Sequence, residues 1–85
     1  MPYIQQKARE KFDPAISTLL SQIKEIDPGE LNYIFSKIVW RLFDREPSYS
    51  VANNMIGALE CCKQEFIRRR LNNYEDQKIA AHGDL

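Results

Sequence analysis

The sequence predicts an all-α fold: a small antiparallel three- to four-helix domain with a long C-terminal helix, assembled as an oligomer. Three observations predict it. Apolar residues recur at helical spacing in three separate segments. Two Asp-Pro pairs, Asp13-Pro14 and Asp27-Pro28, give helix-start signals, because Asp caps exposed amides and Pro suits the first helical position. No segment alternates with strand period over a useful length. The 85 residues are expected to form one domain, 1–85. A chain this short buries only roughly 60% of its unfolded surface, so outside support is expected.

Residues 1–12 read as an N-terminal arm, with Pro2, Tyr3 and Ile4 able to pack against the body. The first helix, about 13–26, starts at Asp13-Pro14 and carries Ile16, Leu19, Leu20, Ile23 and Ile26 on one stripe. The second, 28–45, is capped by Asp27, with Glu30 in its first turn where the helix dipole favours an anion. Its core stripe is Leu31, Ile34, Phe35, Ile38 and Leu42. Tyr33, Val39, Trp40 and Phe43 lie off that stripe, so this helix is apolar nearly all round. One small subunit has too little protein to cover both faces. Tyr33, Trp40 and Phe43 are therefore the expected interface; the alternative is cover by the third helix and the arm within one subunit.

Glu46-Pro47 stops the second helix, since the residue before proline avoids helical geometry. Ser48 or Ser50 caps the third, about 50–72. Its seam is Ala52, Met55, Leu59, Cys62 and Phe66. Asn72-Asn73 is a candidate break or kink, giving a fourth helix over about 74–81 that Gly83 ends. Cys61 and Cys62 are adjacent on a helix, about 100° apart, a geometry that does not suit a disulfide. Cys62, on the seam, is expected to be a small buried hydrophobe and Cys61 to lie off it. Free thiols point to a reducing, cytoplasmic compartment.

Composition excludes several functions. The 12 basic and 12 acidic residues cancel, so duplex DNA is not an expected partner. No apolar run reaches the roughly 20 residues of a membrane span, and the first residues lack a signal-peptide core. His82 stands alone, so no metal site is expected. No catalytic residues and no cofactor are assigned. Glu60 and Glu65 are five apart and share no face, no serine or cysteine has a histidine with an orienting partner, and three glycines make no phosphate loop. The expected site is a binding site: Arg68, Arg69, Arg70 and Tyr74. Arginine forks match phosphates, and an aromatic face accepts any base. Arg69 is expected to continue the Cys62–Phe66 seam. Glu65, Glu75 and Asp76 are its candidate ion-pair partners. The bland alternative is a solvated, salt-bridged patch.

The motifs PYI (2–4), PGELNYIFSK (28–37), GALECCKQEF (57–66) and YEDQKIAAHGDL (74–85) span nearly the whole chain. In them the chain resembles a family of uncharacterised short proteins from bacteria and their phages. Its pattern runs PYI, GELNY, G-x-LEC-x-K-x-EF-x-RR, PYED-x-KI and NGD. Two positions depart from it: Asn73 replaces a proline and His82 an asparagine. The first departure favours an unbroken C-terminal helix. The resemblance brings no activity, but it implies a phage or prophage origin. By analogy it suggests an inhibitor or decoy that sequesters a phosphate-bearing nucleotide signal or blocks a host defence protein. The expected partners are thus a second copy of the chain, a small nucleotide, or a host protein met through the Trp40 face. A nucleic-acid-binding accessory protein is the alternative.

Overall fold

The computed structural model describes residues 4–84, and all of its regular structure there is helical. Pro2 and Tyr3, expected to pack against the body, lie outside the described residues. Three helices are present among the described residues, and the last is long. Helix α1 spans Gln6–Ser21 and α2 spans Pro28–Arg45. Helix α3 covers Tyr49–Phe66 and passes through a π-helical turn, Ile67–Leu71, into α4, Asn72–His82. The chain divides into two compact units, residues 1–40 and 41–85.

In the first unit, α1 starts well before Asp13-Pro14, so the expected arm of residues 1–12 is largely helix. The reason lies in Gln6–Glu10, a run of strong helix formers. Gln5 opens the helix through its carbonyl, which accepts from the amides of Ala8 (3.0 Å) and Arg9 (3.2 Å). Pro14 therefore sits inside the helix. It has no N–H for the carbonyl of Glu10, which can turn to water on this exposed stretch. The helix also ends earlier than Ile26. Ser21 Oγ donates to the Thr18 carbonyl at 2.6 Å, and the amides of Gln22 and Ile23 reach back only three residues. Such tightened bonds mark a helix end.

Helix α2 opens on a reciprocal capping box. Asp27 Oδ1 accepts from the Glu30 amide at 2.8 Å, and the Asp27 amide donates to Glu30 Oε1 at 3.3 Å. The bond from the Glu30 amide is the main cause holding the Asp27 carboxyl below its ordinary value. Gly29 stands where an added Cβ would come within 3.3 Å of Asp27 Oδ1, so its lack of a side chain leaves the cap room.

In the second unit, Ser48 caps α3: its Oγ accepts from the Val51 amide at 3.0 Å. Asn72-Asn73 does not break the helix. Asn73 instead donates from Nδ2 to the Arg69 carbonyl at 2.9 Å, and the irregularity lies just before it. There the Asn72 amide donates five residues back, to the Ile67 carbonyl. Gly83, with φ of 84°, ends α4, and its amide donates to the Ile79 carbonyl at 2.7 Å. With ψ of 158° this is an extended, positive-φ conformation that glycine adopts without steric cost.

None of the described residues is buried. Within the first unit α1 does not pack along α2, and within the second α3 and α4 meet only through the π-turn. The antiparallel packing expected from the sequence is thus not made inside either unit. The α2 stripe of Leu31, Phe35, Ile38 and Leu42 stays open to solvent for the same reason. Cys62, expected to be buried, is exposed, and Cys61 is the half-covered one. No helix of the second unit packs on the Cys62 side to cover it.

Two outcomes follow. Ser48→Ala should cost about 1 kcal/mol of α3 stability, the usual value of a lost cap, read as an earlier chemical-denaturation midpoint. Asp27 has its pKa lowered by folding. Its contribution should hold above its unfolded value, near 4, and fade as pH falls through the lower folded one. Circular dichroism below about pH 4 should show α2 helicity lost in the native chain. Asp27→Asn should flatten that loss.

Candidate anion-binding turn

The π-turn gathers the charge. Ile67–Leu71 reads IRRRL, so three guanidinium groups leave one widened turn. No proline or glycine interrupts the stretch from Ala58 to His82, so the helix absorbs the irregularity without stopping. Its geometry separates the three arginines.

Glu65, one turn before, takes two of them. Its Oε1 and Oε2 accept from Arg68 Nη2 at 2.9 and 3.0 Å. Its Oε2 also pairs with Arg69 Nε. The Glu65 side chain is only 24% exposed, whereas both arginines are more than half exposed. A single guanidinium nitrogen thus spans both oxygens, a charge-assisted contact whose worth exposure limits. Arg70 forms no ion pair among the described residues. Glu75 and Asp76, candidate partners from the sequence, make none with the triplet there.

Tyr74 lies in α4, exposed, with Lys78 Nζ 5.5 Å from its ring centroid. One ring face is therefore already engaged by a cation. The sequence reading passed over this pair, though its four-residue spacing is the signal for it. A second ion pair and hydrogen bond stand at Glu60. Gln64 Nε2 donates to it at 3.0 Å, Lys63 Nζ lies at 3.7 Å, and these hold its carboxyl below the ordinary value, Gln64 first.

The expected interface residues lie elsewhere. Tyr33 and Trp40, seven apart and so on one side of α2, are 62% and 63% exposed. Lys37 Nζ sits 5.9 Å from the Tyr33 ring centroid. Phe43 is half-covered. His82 is exposed and α4 ends at it. Among the described residues no three of His, Cys, Asp and Glu come together to hold a metal, and no helix is long and apolar enough to cross a membrane.

Glu65 thus neutralises part of the arginine cluster. Glu65→Gln should leave Arg68 and Arg69 without their carboxylate. Retention on a polyanion resin such as heparin should then rise, with elution moving to higher salt. Unchanged elution would mean that these guanidinium groups do not meet solvent anions.

No match to the chain is found among curated proteins or among solved structures. One family model matches, over residues 1–85, described as a domain of unknown function, DUF6899. With its whole length covered by that model, this helical chain belongs to the DUF6899 family.

Proposed function

We propose that this chain is a non-catalytic helical binding protein that works as a homo-oligomer and takes a phosphate-bearing nucleotide at its arginine turn. The observation that carries the ligand class is the local charge. Three arginines, Arg68, Arg69 and Arg70, stand against one carboxylate, Glu65, in a chain of zero net charge. Three positive charges less one negative leave two positive. Arg70 supplies a fork with no carboxylate on it among the described residues, and Tyr74 supplies a ring with one face taken by Lys78. Charge-assisted contacts from arginine are the strongest common way to hold a phosphate. Self-association is supported by the apolar side chains left open within each unit. The role we assign, a phage-encoded decoy or inhibitor in the host cytoplasm, draws on the motif resemblance and the free cysteines.

A second reading has its own observation. Tyr33 and Trp40 present two large exposed rings on one side of α2, the kind of anchor that dominates protein interfaces. In that reading the chain inhibits a host protein directly.

Calorimetry against cyclic and linear nucleotides and short single strands separates these readings. Binding to a small nucleotide should weaken about tenfold or more in Arg70→Ala, the size of a lost charged hydrogen bond. It should also weaken as salt rises. Affinity unchanged by Arg70→Ala would remove the arginine turn as the site. Binding only to long single strands would favour a nucleic-acid accessory role. With no binding at all, pull-down with Trp40→Ala as control tests the protein-partner reading.

A further inference from the structure

Two of the three arginines in the π-turn already hold an anion, and it belongs to the chain. Arg68 Nη2 donates to both Glu65 oxygens, and Arg69 Nε pairs with Oε2. Arg69, read from the sequence as an extension of the Cys62–Phe66 seam, is thus one of two guanidinium groups converging on one carboxylate. Glu65 is the covered member of the group, and both arginines keep most of their surface in water. Arg70, next in the chain, adds a third positive charge to the same turn.

A ligand anion that uses Arg68 and Arg69 must take the place of Glu65. The two acceptors do not compete on equal terms. Glu65 is tethered three and four residues from its partners, and a short tether of this kind gives an effective concentration on the order of millimolar. A free ligand must also give up translational freedom that a tethered group has already lost. The cost of moving Glu65 aside is the same for every ligand. What differs is the charge gained. A carboxylate carries one negative charge, and so does a phosphodiester, so that exchange gains nothing. A phosphate monoester carries about −1.5 to −2 at pH 7, on three terminal oxygens. It brings the extra charge among three guanidinium groups, whose planar forks match its oxygens in pairs.

We propose that Glu65 is a built-in competitor that sets the charge a ligand must bring, so that the arginine turn favours terminal phosphate monoesters over phosphodiesters. This rests on the anion site proposed above and names its ligand class and the residue that sets the threshold. The site reads the free phosphate end of a nucleotide, and the internal phosphates of a nucleic-acid strand fall below its threshold.

Calorimetry on the full chain tests it, with adenosine 5′-monophosphate against its methyl ester. The two probes share base, sugar and linear shape and differ by one charge and one methyl group. The native chain should bind the monoester at least about tenfold tighter, the effect of one added charge among several cations. Glu65→Gln should tighten both probes by about threefold or more and keep their ratio, since it removes the shared cost. Glu60→Gln removes the same charge from the same helix, where Lys63 and Gln64 hold it, and should leave both affinities near native. Equal affinity of the native chain for the two probes would overturn the threshold while leaving an anion site standing. So would a Glu65→Gln chain that binds no tighter than the Glu60→Gln chain. Binding of neither probe, by the native chain or by Glu65→Gln, would overturn the arginine turn as a site.

Discussion

Apolar side chains that remain in water set the terms for everything else in this protein. Fully burying a leucine or phenylalanine is worth about 1.5–3 kcal/mol relative to leaving it exposed. Leu31, Phe35, Ile38, Leu59 and Phe66 all keep more than a third of their surface in solvent. A helix in water draws little from propensity alone, and most helical stability in proteins comes from tertiary packing. Each unit here has the helices and lacks the packing. The seam of α3 and the rings of α2 are best understood as surfaces waiting for cover.

What each unit does supply is local definition. The Asp27–Glu30 box, the Ser48 cap and the positive-φ Gly83 fix where helices begin and end. Each satisfies amides or carbonyls that a helix end leaves open. Such contacts set element boundaries with little help from the rest of the chain. They stabilise by about 1 kcal/mol each, far less than a core does. Each unit held this way has defined helix ends and apolar faces left open within it.

That division explains what could be read from residues alone. Capping bonds span three residues, so Asp27, Glu30 and Ser48 were legible. So was the Glu65–Arg69 pair, from its four-residue spacing. The start of α1 was not, because the helix formers of Gln6–Glu10 outweigh a proline that usually marks a beginning. The exposure of Cys62 was hidden because a seam of apolar residues looks the same whether or not anything lies on it. The π-turn has no periodic signature at all. It is visible only in the backbone, in the bond from the Asn72 amide to the Ile67 carbonyl.

The π-turn also makes chain length and helix phase a single variable. Each residue of an α-helix turns the next by about 100°. Removing any one residue from Ile67–Leu71 would give a more regular helix, and a shorter one. The cost would fall on orientation. Every side chain of α4, Tyr74 included, would swing about 100° around the axis relative to α3. The hold of Lys78 on Tyr74 would survive, because both lie beyond the turn and rotate together. A one-residue deletion here would therefore change the phase between two helical segments, and deleting Ile67 or Leu71 would do so with all three arginines kept.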